Sequence, residues 1–77
     1  MTVQILAFGR LKEIVDTTTL DVAEAIDTDQ LQEMLQTQFP ALKNLKYALA
    51  VNQQVVNQNT AVPQHAMVAL LPPFSGG

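Results

Sequence analysis

Few residues of this 77-residue chain have the type and spacing that chemistry requires. The one histidine, His65, sits in the polar stretch "VPQHA" without a converging ligand or acid, so it reads as a solvated turn residue, not a metal ligand or proton shuttle. Ser75 is the only serine, and no base is held beside it to activate the hydroxyl. Glu24, Asp27 and Asp29 flank the start of a helical pattern, where capping accounts for them better than a paired-carboxylate site. The three glycines, Gly9, Gly76 and Gly77, cannot form a phosphate-cradling loop. Cysteine is absent, which removes thiolate metal sites and disulfides, and no metal site is expected.

What remains is the ending "PPFSGG", Pro72 to Gly77. Consecutive prolines favour a stiff, extended path that projects outward. Glycines lack a Cβ, so Gly76 and Gly77 let another backbone approach closely, as in a narrow channel. Six residues at roughly 3.3 Å each reach about 20 Å, enough to enter a deep slot in a partner. Pro73, Phe74, Ser75 and Gly76 are therefore the expected insertion residues, and the group they deliver is the α-carboxylate of Gly77. A carboxylate is a poor electrophile and becomes useful only once activated, for example as an acyl adenylate. The chain thus reads as having no active site of its own.

The elements that must position this tail follow from periodicity. "TVQILAF" alternates Val3, Ile5 and Ala7 against Gln4, Leu6 and Phe8, a strand with the odd residues inward. After Gly9, "RLKEIV" gives one or two helical turns with Leu11, Ile14 and Val15 inward, and "TTLDVAEA" a second strand. "DTDQLQEMLQTQFP" is the clearest helix, with Asp27 or Thr28 as cap, Pro40 as stop, and Leu31, Met34, Leu35 and Phe39 on one stripe. "ALKNLKY" is one loose turn. "YALAVNQQVV" reads as a hairpin around "NQQ", and the loop holding Pro63 cannot be a central strand. "AMVALLP" is a nearly continuous apolar strand, hence central.

The order β, short helix, β, long helix, β, β, loop, β predicts an α+β β-grasp, or ubiquitin-like, fold. In it a mixed sheet of about five strands packs on one main helix, with the first and last strands parallel neighbours at its centre. Residues 1–71 form the domain and residues 72–77 the tail, which leaves from a central strand.

Composition narrows the function classes. The hydrophobic fraction of 48% suits a folded domain. Such a domain is near the lower size limit for a self-sufficient core. All seven acidic residues lie between Glu13 and Glu33, and the four basic residues form no run, so nucleic-acid binding is not expected. The longest apolar stretch, "AMVALLPPF", is too short to span a bilayer, and residues 1–8 lack a signal-peptide pattern. The expected location is the cytoplasm, with no membrane partner.

With these residues in hand, the sequence resembles the small, sulfur-carrier subunit of molybdopterin synthase, in the ubiquitin-like β-grasp sulfur-carrier family. The likeness runs from "VQILAFGRLKEIV" through "LAVNQQVV" to "PPFSGG". The "GG" ending is shared with ubiquitin-like modifiers and other sulfur carriers; the preceding "PPFS" points to the molybdopterin branch. The resemblance implies that an ATP-dependent adenylating enzyme activates the Gly77 carboxylate and that a sulfur donor converts it to a thiocarboxylate. It further implies that the tail enters a pocket of the large catalytic subunit and gives its sulfur to cyclic pyranopterin monophosphate, within a heterotetramer. No cofactor is bound by the chain itself; ATP belongs to the activating enzyme. Phe8, Val55 and Leu71 match apolar interface positions of the family, with Phe74 in the tail, and Lys12 stands where the family carries arginine. Three alternatives stay open: a sulfur carrier for thiamine, cysteine or tRNA thiolation, a ubiquitin-like modifier joined through Gly77 to lysines, and an interaction domain whose glycine end is inert.

Overall fold

A computed structural model describes residues 1–22 and 26–72. Five strands, β1 (Thr2–Ala7), β2 (Thr18–Asp21), β3 (Ala48–Val51), β4 (Gln54–Val56) and β5 (Met67–Leu71), form one sheet in the order β2-β1-β5-β3-β4. A single α-helix, α1 (Thr28–Gln38), packs on one face, and 3₁₀ turns cover Gly9–Glu13 and Pro40–Asn44. β1 and β5 run parallel at the centre and every other pairing is antiparallel. This is the β-grasp arrangement that the element order predicts.

The alternation of β1 decides which way the sheet faces. Val3, Ile5 and Ala7 are buried against α1, as are Val68 and Leu70 of β5 and Leu49 and Val51 of β3. From the helix, Leu31 and Leu35 are fully buried, with Met34 and Phe39 packed at the edge of the same cluster. Each such leucine contributes about 1.5–3 kcal/mol relative to an exposed one. Leu42, on the 3₁₀ turn that follows Phe39, is also fully buried and closes the core beneath the C-terminal end of α1.

Asp27 is the N-cap. Its carboxylate accepts from Gln30 N–H at 2.9 Å while the Gln30 side chain accepts from Asp27 N–H at 3.1 Å, a reciprocal capping box. Next to it Thr28, the one buried polar residue among those described, accepts from Thr60 N–H at 2.9 Å and donates to Asn59 Oδ1 at 3.3 Å. These contacts fix where α1 enters the fold and engage the Asp27 carboxylate in capping.

Two local expectations are corrected, and a third is met only as far as the described residues reach. β2 covers Thr18–Asp21, and the pairing continues one step further: Val22 N–H donates to the Met1 carbonyl at 2.8 Å and the Met1 amine to the Val22 carbonyl at 2.9 Å. The predicted extension over Ala23, Glu24 and Ala25 lies outside the described residues. The hairpin turn is the two-residue pair Asn52-Gln53, both at positive φ (49° and 72°), and Gln54 already belongs to β4. The segment after Gly9 forms a 3₁₀ helix, with Leu11 and Val15 buried and Ile14 half-buried, so the inward residues are as predicted while the pitch is tighter.

Candidate functional site

The sheet has a second face that no element covers among the described residues. Strand register places Leu6, Ala69, Ala50 and Val55 side by side in one row across four strands. Gln4 and Met67 pair on one side of that row, and Leu71 and Ala48 on the other. Phe8 follows directly beyond the Ala7–Leu70 pair, its N–H bonded to the Leu70 carbonyl at 3.1 Å, which sets it beside Leu71. The open face is therefore largely apolar and free of charge at its centre. Phe8 is 45% exposed, Val55 54% and Met67 40%. Apolar side chains left in water on one contiguous face make it the candidate surface for contact with another macromolecule.

The predicted interface residues come together in part. Phe8, Val55 and Leu71 lie on this one face, and Lys12 is exposed on the 3₁₀ turn directly after β1. The sequence reading missed Leu6, Met67, Ala69 and Ala50, which complete the face. The alternation Met67, Ala69, Leu71 against Val68 and Leu70 was the available signal, hidden because apolar residues occupy both phases of β5.

The chain leaves this surface at its corner. β5 is paired with β1 through Leu70 and with β3 through Leu71, and Pro72 follows. A central strand with two neighbours is the most rigid base the fold offers for a projecting segment. The remaining predicted tail residues, Pro73, Phe74, Ser75, Gly76 and Gly77, lie outside the described residues.

The other residues singled out from sequence carry no converging chemistry. His65 is exposed at φ 61°, with its Nδ1 3.4 Å from Thr2 Oγ1. Among the described residues, no three His, Cys, Asp or Glu side chains gather as a metal site would need. A depression of about 820 Å³ is an open groove along α1 lined mainly by polar residues such as Gln30, Glu33 and Gln36, on the opposite side of the molecule from the apolar face. No helix among the described residues is long and apolar enough to cross a membrane.

Comparison with known proteins converges on one fold. The model of the ThiS family matches residues 5–77. Among solved structures, a protein described as molybdopterin converting factor, subunit 1, from Pyrococcus furiosus superposes with a TM-score of 0.84 at 19% identity, covering 94% of this chain and 97% of its own. SAMP1 from Haloferax volcanii gives 0.81 at 21% identity, with both chains covered completely. A chain from the complex of subunits 1 and 2 of the molybdopterin-converting factor of Helicobacter pylori gives 0.76 at 28% identity, again over the whole of both chains.

Proposed function

Because the chain belongs to the ThiS family, we propose that it is a sulfur carrier, and that its pathway is the synthesis of the molybdenum cofactor. The observation that carries this reading is the extent of the family match, which runs through Gly77 and so includes the Gly-Gly end. The pathway assignment is supported by the "PPFS" preceding that end and by the 28% identity to a chain from a two-subunit converting factor.

In this reading the Gly77 carboxylate attacks the α-phosphate of ATP on an adenylating enzyme, and pyrophosphate leaves. A sulfide equivalent then displaces AMP from the acyl adenylate, which leaves a thiocarboxylate at Gly77. The large subunit of molybdopterin synthase covers the apolar face around Phe8, Leu71 and Val55, while Phe74, Ser75 and Gly76 line the slot it offers the tail. There the sulfur passes to cyclic pyranopterin monophosphate, and water supplies the oxygen that restores the carboxylate. The carrier contributes a docking face, a rigid base and a terminal acyl group; the partner contributes the catalytic pocket.

Incubation with the adenylating enzyme, ATP and a sulfide donor tests this by intact mass. The expected change is a gain of about 16 Da, sulfur for oxygen, located to Gly77 by fragmentation and absent when Gly77 is deleted. An unchanged mass, or isopeptide-linked conjugates in its place, would overturn the carrier reading.

A further inference from the structure

Gly9 and Pro72 are 63 positions apart in sequence and touch in space. Gly9 sits at φ +61°, directly after β1 and at the start of the 3₁₀ turn. A Cβ built on it would stand 3.1 Å from Pro72 Cγ, 3.7 Å from Cβ and 3.9 Å from Cδ. The pyrrolidine ring therefore lies against the bare Cα of Gly9. Pro72 has no N–H, so it cannot extend the hydrogen-bonded ladder that holds Leu71. Where the ladder stops, ring-on-glycine packing takes over as the constraint on chain direction.

We infer that Gly9 is a positioning residue for the C-terminal segment: its missing side chain seats the Pro72 ring and so sets the direction in which the chain leaves the sheet. This rests on the reading of Gly77 as the reacting terminus. Five residues follow Pro72 and span at most about 17 Å, so an angular change at the ring is magnified at the end of the chain. Reacting groups misplaced by about 1 Å can lose about a hundredfold in rate. Gly9 itself touches neither the reacting carboxylate nor ATP; it acts through Pro72.

The test is a double-mutant cycle of Gly9→Ala and Pro72→Gly, with carrier activation followed on the adenylating enzyme that loads the wild-type chain. A residue that acts only on the direction of the tail leaves capture of the carrier unchanged, so KM for the carrier stays within about twofold while kcat falls about tenfold or more in Gly9→Ala. Pro72→Gly, which removes the ring and leaves Gly9 intact, also lowers kcat. The double variant is no slower than Pro72→Gly alone, because the two changes remove one shared contact. A raised KM at unchanged kcat, or independent losses that multiply in the double variant, would mean that Gly9 serves docking or folding and does not act through Pro72, and would overturn the inference.

An NMR arm does not depend on sulfur chemistry. Wild type must show contacts between Gly9 Hα and the Pro72 ring protons, and Gly9→Ala must shift resonances from Leu71 through Gly77 more than those of Leu31 or Leu35. Tail resonances left unmoved by Gly9→Ala would overturn the inference even if Gly77 is never loaded, so failure of the inference is distinguishable from failure of the carrier reading.

Discussion

The end of the sheet where β5 begins and the end where it leaves are built from different materials. At the first, polar groups are tied down. The Met1 amine donates to the Val22 carbonyl at 2.9 Å, Asp27 and Gln30 cap α1 reciprocally, Thr28 links to Asn59 and Thr60, and Asn52 Oδ1 accepts from Met67 N–H at 2.9 Å. At the second, Phe8 and Leu45 stand exposed, and so do all four cations, Arg10, Lys12, Lys43 and Lys46, on the 3₁₀ turns and the approach to β3, with Glu13 and Asp16 nearby. The first end ties its side chains largely to its own backbone; the second, apart from Asp16, which accepts from Thr17 N–H at 3.0 Å, leaves its charged side chains in solvent. A domain this small has few residues to spare, so separating the two tasks lets the proposed docking end vary without loosening the core.

The comparison breaks most readily at Thr28. Replacing its hydroxyl by a methyl in Thr28→Val keeps the shape but leaves the half-buried Thr60 N–H without its acceptor. The expected cost is about 1–3 kcal/mol of folding stability, read from urea unfolding midpoints. Affinity for the large synthase subunit should stay within about twofold, since the proposed contacts of Phe8 and Leu71 lie at the other end. A loss of affinity matching the loss of stability would show that the two ends are not independent.

Phe8→Ala probes the opposite end with the opposite signature. Its ring is nearly half exposed, so stability should change by no more than about 0.5 kcal/mol. Association with the large subunit should weaken about tenfold, equivalent to about 1.4 kcal/mol, measured by titration calorimetry. If the variant unfolds more easily yet binds as well as wild type, Phe8 belongs to the fold and the open face is not the docking surface.

How much of this was legible follows from which signals are local. The β1 alternation, the α1 stripe with its cap, and the central place of β5 are each written within one segment, and all three were readable. The register of β2 was not, since it depends on which residues of β1 it meets. Nor was the full open face, because β5 carries apolar residues on both phases and its burial pattern appears only once α1 covers one side. Gly9 read simply as punctuation; its contact with Pro72 exists only because β1 and β5 become parallel neighbours. Periodicity reports which face of an element is apolar, while register and close approach belong to pairs of elements and are set by tertiary structure.

The smallest effect separates the two ends by pH. The Gln30 backbone N–H, aided by the Asn59 side chain, holds the Asp27 carboxyl below the usual aspartate range. A carboxyl whose pKa is lowered by folding stabilises the fold fully above its unfolded value, and that contribution fades as pH falls through the folded value. Asp27→Asn keeps an oxygen that can accept from Gln30 N–H but does not titrate, and it forgoes the favourable charge at the start of α1. Wild type should therefore unfold at slightly higher urea than Asp27→Asn near neutrality, and the gap should close as acid protonates Asp27. Phe8→Ala, which touches no capping group, should keep a constant offset from wild type over the same range. A gap for Asp27→Asn that does not change with pH would mean that the cap works through hydrogen-bond geometry alone and that its charge adds nothing to the anchored end.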